Sequence, residues 1–352
     1  MSDCSMQSSQ RGLRMQSPFF GIRPEAMSLV QADLNGSNLS QGRLIIKAAS
    51  QRLEDSGCRW QIGFGPTFFT KFRSIPKPGA LKTLDINGDE AFGLRPGSGE
   101  SDLLIAIGGN WETAVSVARS LCYFFDENAS TVRGVNIGYD AFNERDHSGF
   151  LDGTSNLQDL SPTQFGECVF VQQQDDEAFA GGSYLVFRKY EEDLEMWNDL
   201  PDSVQEHFVG REKKMGCFLN GNSEWTPSVW KKTSPCAHIR RANPREVPKG
   251  HHDYWKERIY RRGVKFTERK PEGSLRFGLL FIAIVRDPEM QFARIHNERI
   301  LPLTGPKDLF LSSGYIKPLS SSCYYLPTVT CLHNLLKSSK GLSPVRLVSS
   351  RR

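Results

Sequence analysis

His238 lies in Cys236-Ala-His-Ile-Arg-Arg-Ala-Asn-Pro-Arg245, and of seven histidines it alone has three arginines and an Asn-Pro turn around it. Guanidinium groups hold carboxylates and phosphates by paired hydrogen bonds, so an anionic ligand can be held beside this imidazole. A solvated or core histidine fits the same letters. Cys236, His238, His251, His252 and Asp253 also carry metal-ligating atoms, but their spacings match no compact zinc module. A second candidate, Ser148-Gly-Phe-Leu-Asp-Gly-Thr-Ser-Asn156, sets Asp152 between Gly149 and Gly153, where backbone can approach a bound group closely. Asp-Gly is equally an ordinary turn. Phe150 and Leu151 would hold the carboxylate against apolar surface, which raises its pKa. The third candidate is Ile259-Tyr-Arg-Arg-Gly263, a basic pair on a strand edge. On a solvated face it is inert; buried, Arg261 is suited to stabilising negative charge that develops on an oxygen.

Strands and helices must position these side chains. Asp102-Leu-Leu-Ile-Ala-Ile-Gly108 is an apolar run bounded by glycine and predicts a buried strand. Asn110 then caps a helix whose Ala114, Val117, Ala118, Leu121 and Phe125 share one face. The pattern recurs with a strand over residues 183–190 and a helix over 191–200. It appears again with a strand over 275–286 leading into a helical turn at Asp287-Pro288. Such alternation fits a parallel doubly wound sheet. It fits equally two similar halves, each an antiparallel sheet with helices on one face. No Gly-rich phosphate loop follows any strand: Phe64-Gly-Pro-Thr and Ile107-Gly-Gly-Asn are too short and wrongly patterned.

The chain has 352 residues, 38% hydrophobic and 24% charged, enough for about two domains with real cores. A net charge of +4, from 44 basic against 40 acidic residues, is too weak to argue for nucleic acid. The longest apolar runs, such as Leu279 to Val285, are strand-length, so no membrane association is expected. Residues 1–16 lack the apolar core of a secretory signal, and eight scattered cysteines without a CxxC pair fit reduced thiols. A cytoplasmic location is the expectation. Residues 1–26 and 335–352 are expected to be a disordered tail and a flexible basic tail.

Taken together, the three segments resemble the dye-decolourising peroxidases (DyP-type haem peroxidases). Gly149-Phe-Leu-Asp-Gly153 matches that family's GxxDG signature. Ala237 to Arg245 is similar to the segment carrying its proximal histidine, and Ile259 to Gly263 to the segment carrying its distal arginine. Gly182-Ser-Tyr-Leu-Val-Phe-Arg188, Asp193-Leu-Glu-Met-Trp197, Val209-Gly-Arg-Glu-Lys213 and Gly278-Leu-Leu-Phe-Ile-Ala283 follow in family order. The resemblance covers about residues 60–330. GxxDG alone is weak; the ordered set is specific.

The resemblance implies an α+β fold of two ferredoxin-like halves, antiparallel sheets with helices on one face, of the dimeric α+β barrel type. The halves would span residues 27–148 and 149–334, with haem b held mostly by the second. It implies His238 as iron ligand through Nε2, with Asp308, or else Asp287, accepting its other ring N–H. Asp152 would move the peroxide proton and Arg261 would stabilise the oxyanion. Leu279 and Phe281 would wall the distal pocket, and Arg240, Arg241 and Arg245 would pair with haem propionates. Many bacterial relatives have Asn where this chain has Gly263, which weakens the hold on a distal water. The implied activity is reduction of hydrogen peroxide with oxidation of small organic reductants such as dyes or phenolics. The alternative is a non-catalytic haem-handling protein on the same fold, which would keep His238 but not need Asp152 with Arg261. Bulky dyes would be oxidised through surface aromatics, with Trp230, Tyr254, Trp255, Tyr324 and Tyr325 as candidates; core or rim packing explains the same residues. A homo-oligomer fits the family, and the tail from Lys337 to Arg352 could be a docking peptide for an encapsulating shell or a solvated end.

Overall fold

The structure, a computed structural model, describes residues 17–337 apart from 37, 129, 141–144, 220–232 and 244–253. Four strands, β1 (Ala26–Leu34), β2 (Arg59–Phe64), β3 (Leu103–Gly109) and β4 (Ser130–Tyr139), form an antiparallel sheet in the order β2-β3-β1-β4. A second antiparallel sheet takes β5 (Ser183–Glu192), β7 (Val264–Arg269), β8 (Leu275–Val285) and β9 (Ile316–Leu326) in the order β9-β5-β8-β7. A short β6 (Tyr260–Arg261) pairs with the far end of β8. In both sheets the first strand in sequence lies between the fourth and the third, so the two halves share one topology. This is the ferredoxin-like pair, and the parallel doubly wound alternative does not occur.

The sheets join edge to edge into a closed ring. The described seams are Phe64 beside Tyr325 and Tyr139 beside Lys265. Strand alternation divides the side chains between two faces. Met27, Leu29, Leu185, Phe187, Leu280 and Ile282 fill the ring's interior. Ile105, Val30 and Trp60 face outward under α1 (Leu39–Asp55) and α3 (Trp111–Glu127). The Asn110 side chain accepts from Thr113 N–H at 2.8 Å and starts α3, which buries Ala114, Ala118, Leu121 and Phe125 as their spacing predicts.

Three expectations change. Residues 17–25 are tied to the fold at points rather than tail-like throughout: Phe19 is fully buried, and Arg262 Nε donates to its carbonyl at 2.6 Å, while Ile22 stays exposed. The helix expected from residue 191 begins later. Glu191 and Glu192 continue β5 because both neighbouring strands pair with them, and Asp193 caps α5 (Leu194–Asn198) through Met196 N–H. After β8 the chain coils in π-helical segments, Glu289–Ala293 and Ile295–Ile300, a rare geometry often found at functional sites. Residues 1–16 and 338–352, and with them most of both expected tails, lie outside the described residues.

Candidate functional site

Leu279 and Phe281 alternate along β8, so both project from the outer face of the second sheet. Together with Arg261 of β6 they form one wall of a cavity of about 230 Å³. The helical layer supplies the facing wall. It begins at His238, the first residue of α7 (His238–Ala242), and includes Phe292 and His296 of the π-helical segments. The loop carrying Asp152 closes a third side. The three sequence segments singled out for chemistry therefore meet at one cavity.

His238 Nδ1 lies 2.7 Å from Asp308 Oδ2. An ionised carboxylate only accepts, so Nδ1–H donates to it, and Nε2 is the ring nitrogen left for a ligand. Asp308 is fully buried and held from two sides: Oδ1 caps α8 (Leu309–Ser312) at Leu311 N–H, 3.0 Å, and its own N–H donates to Ile300 C=O at 2.8 Å. Asp287, the other carboxylate considered for this role, instead caps the π-helical start at Glu289 and Met290 N–H, both 3.0 Å.

Asp152 departs from expectation. Burial pushes its pKa up, but Arg23 and Arg261 outweigh that and hold the carboxyl below its ordinary range. Arg23 Nη1 donates to Asp152 Oδ2 at 2.9 Å and also reaches Asp140 Oδ1 at 3.0 Å, while Gly153 N–H donates at 2.7 Å. The flanking Phe150 packs in a cluster with Trp197, and the two guanidinium groups, not this apolar neighbour, decide the state of the carboxylate. The carboxyl that burial does raise is Asp146, to about 7, with Ser148 opposing and Glu192 adding to the rise. Asp146 lines the same cavity.

Arg261 is held through its backbone: Asn156 Nδ2 donates to its C=O and Asn156 Oδ1 accepts from its N–H, both at 2.8 Å. Its Nη2 donates to Ser155 C=O at 3.1 Å. Burial lowers the guanidinium pKa, and Asp152 opposes the change. Gly263 also borders the cavity, and a Cβ there would stand 3.2 Å from both Leu279 Cδ1 and Leu280 O.

Arg240 Nη1 donates to Thr233 C=O at 2.6 Å, and Arg241 Nε donates to Arg299 C=O. Neither is among the described residues lining the cavity. Arg245, Trp230 and His251-His252-Asp253 lie outside the described residues. Tyr324 and Tyr325, considered as surface electron carriers, are buried. The Tyr324 hydroxyl lies 2.7 Å from Gln31 Nε2, and the Tyr325 hydroxyl donates to Phe179 C=O at 3.1 Å. Alternation on β9 sends one side chain into the ring and the other under the outer layer.

Sequence reasoning missed Arg23, Asn156 and Arg211. Arg23 sits 129 residues from the carboxylate it charges and falls inside the expected tail. Arg211 lines the cavity with its pKa pushed down to about 10 by burial; it lay in a recognised segment without an assigned role. Asn156 ends the GxxDG segment and had a signal available, since Asn side chains commonly bond backbone.

Residues 143–331 match the profile of the family described as Dyp-type peroxidase, C-terminal. The chain is 30% identical over 199 residues to a dye-decolorizing peroxidase of Rhodococcus erythropolis, covering 54% of this chain and 51% of that protein. It is 30% identical over 201 residues to a deferrochelatase of Yersinia pestis, covering 54% and 43%. The matched region thus spans about half the length of these curated relatives. A variant of DypB from Rhodococcus jostii, solved in complex with heme, has a similar fold. It gives a TM-score of 0.72 at 20% identity over 91% of this chain and 98% of the other. Among the described residues no helix is long and apolar enough to cross a membrane.

Proposed function

The chain belongs to the Dyp-type peroxidase family, and on that premise we propose that it binds haem b and reduces hydrogen peroxide while oxidising small organic molecules. The observation that carries this reading is one cavity bordered by His238, braced by Asp308, and by Asp152 with Arg261. The donor set fits haem. Asp308 occupies Nδ1, so Nε2 is the ring nitrogen left to hold iron, and the carboxylate makes the imidazole a stronger ligand. Leu279 and Phe281 offer apolar surface to a planar ring. When bound, haem supplies the redox equivalents and the centre at which the peroxide O–O bond is cleaved.

The protein's part is proton and charge handling. Asp152, held ionised by Arg23 and Arg261, would take up a proton from bound peroxide. Arg261 lends positive charge to the oxygen on which negative charge develops, from a half-buried position where that charge is poorly screened. Non-catalytic haem handling would need His238 but not this second pair. Asp152 beside Arg261 therefore favours the peroxidase.

The test is reconstitution of the full chain with haem b, read by its Soret band and by peroxide-dependent oxidation of a phenolic dye. His238→Ala is expected to lose the band. Arg261→Leu is expected to keep it and lose roughly 10²–10³-fold in turnover, as when one oxyanion donor is removed. A chain that holds haem through His238 but turns over no reductant, with Arg261→Leu indistinguishable from wild type, overturns the peroxidase and leaves a haem-handling protein.

A further inference from the structure

The cavity wall carries a file of proton-exchanging groups outside the His238, Asp152 and Arg261 set. At the protein surface the hydroxyls of Tyr139, the last residue of β4, and Thr267 of β7 lie 3.2 Å apart. The Tyr139 hydroxyl is also 3.2 Å from His147 Nε2. The other ring nitrogen, Nδ1, is 2.8 Å from Glu192 Oε2. Glu192 ends β5 on the face that carries Tyr190 and lines the cavity near Asp146 and Asp152. The file thus runs from exposed Thr267 and half-buried Tyr139, at the cavity's edge, through an imidazole 11% exposed, to a carboxylate 6% exposed on the cavity wall.

Anchoring a loop needs one bonded nitrogen. Here both are bonded, and each partner can itself exchange a proton. The surroundings keep the file polar on one side only. Lys265 of β7 stands over the Tyr139 ring at 5.6 Å, and Phe277 of β8 packs against the imidazole at 5.8 Å. Arg145 and Asp146 precede His147 on its own loop, and burial, with Glu192 adding, pushes Asp146 up to about 7. Burial, then the charges of Glu192 and Asp146, raises the Tyr315 phenol, which stays protonated. Under its two guanidinium groups Asp152 stays ionised, so at rest it carries no proton to supply. Reduction of peroxide to two waters takes up two protons beyond those peroxide brings, and these must reach the cavity from elsewhere.

We propose that Tyr139, His147 and Glu192 form a proton path between solvent and the cavity, a role that rests on the peroxidase reading. In one passage Tyr139 gives its hydroxyl proton to His147 Nε2 and takes a replacement from water. His147 gives its Nδ1 proton to Glu192, which releases one into the cavity, and the ring returns to its starting tautomer by losing the Nε2 proton to water and taking one from water on Nδ1. One proton moves from solvent to cavity and every group ends as it began. Tyr139, His147 and Glu192 are positioning residues for the reaction, since none is placed against the reacting atoms.

Two readouts test the path. In the haem-free chain, solvent exchange of the His147 ring N–H, followed by nitrogen-15 NMR, is expected to slow in Tyr139→Phe; exchange at the wild-type rate overturns the path whether or not haem is bound. In the haem-loaded chain, hydrogen cyanide serves as a weak acid that must lose its proton to bind. Its uptake in His147→Leu is expected to slow on the order of 10²-fold, the low end for a positioned proton-transfer group, at unchanged equilibrium affinity and with recovery on adding imidazole. His147→Gln keeps a hydrogen bond to Glu192 but relays nothing, so it is expected to match His147→Leu in rate and wild type in Tm. Wild-type cyanide uptake in both variants removes the path and leaves the peroxidase reading standing. A wild-type chain that takes up no haem removes that reading, and the exchange measurement still decides the path.

Discussion

Replacing Arg23 by Met keeps an aliphatic stem over the loop and takes away the charge that, with Arg261, keeps Asp152 ionised. An opposite charge at contact distance lowers an aspartate pKa by about 1–3 pH units. The side chains of Arg23 and Asp152 are 26% and 36% exposed, so solvent screens the pair. Arg261 also remains in the variant. Both facts select the low end, about one pH unit or ~1.4 kcal/mol. The sign follows from the depressed folded pKa: the ionised form, and the base it provides, is present above that pKa and lost as pH falls through it. In Arg23→Met the loss begins at higher pH. Peroxide turnover by the haem-loaded chain should show its acid limb displaced upward by about one pH unit, with roughly tenfold lower rates below both limbs. Rates at neutral pH should match, because Asp152 is ionised in both proteins there. The carbon-13 signal of the Asp152 carboxyl in the haem-free chain gives the same titration without chemistry. An unmoved signal refutes control by Arg23; a moved signal with an unmoved acid limb removes Asp152 from the rate.

Other outcomes follow from the same contacts. Asp308→Ala removes the α8 cap, about 1 kcal/mol, and leaves the His238 N–H unpartnered, about 1–3 kcal/mol, so urea denaturation of the haem-free chain should show a loss of roughly 2–4 kcal/mol. Asp146 has its folded pKa raised to about 7, so its stabilising contribution is full below the unfolded value near 4 and is lost as pH rises through about 7. That loss is up to ~4 kcal/mol, and Asp146→Asn should flatten the stability profile across this window. Gly278→Ala sets a Cβ 1.9 Å from Tyr190 O, in the sheet that carries Leu279. A Tm drop equivalent to about 1–3 kcal/mol is expected, and an unchanged Tm would show that β5 and β8 part there at no cost.

The elements most legible in the sequence were those whose own residues settle them. Asn110 with the Ala114–Phe125 face announces α3, and the run ending at Val285 announces β8. Glu191 and Glu192 misled because two adjacent acids look helical in isolation, whereas pairing partners on β8 and β9, far along the chain, keep them extended. His238, Asp152 and Arg261 were legible through their motifs. The electrostatic state of Asp152 was not, because it depends on Arg23, whose approach is fixed by the fold of the whole first half. The role of Glu192 was hidden in the same way: only the placement of His147 beside it turns a strand-end acid into part of a file.

The ring of strands is continuous, but its two seams are unlike its sheets. Within each sheet, ladders of seven or more residue pairs join β1 to β3 and β5 to β8, while the described seams are single bridges. Each half can thus behave as a separate cooperative unit, with the bridges the first places where amides become open to hydrogen exchange. Exchange should be fast around Tyr139 and Lys265 under conditions that leave Leu185 and Ile282 protected. Tyr139 and Lys265 also border the cavity. This edge of the cavity therefore lies on a seam with one described bridge, and widening it there does not require melting either sheet.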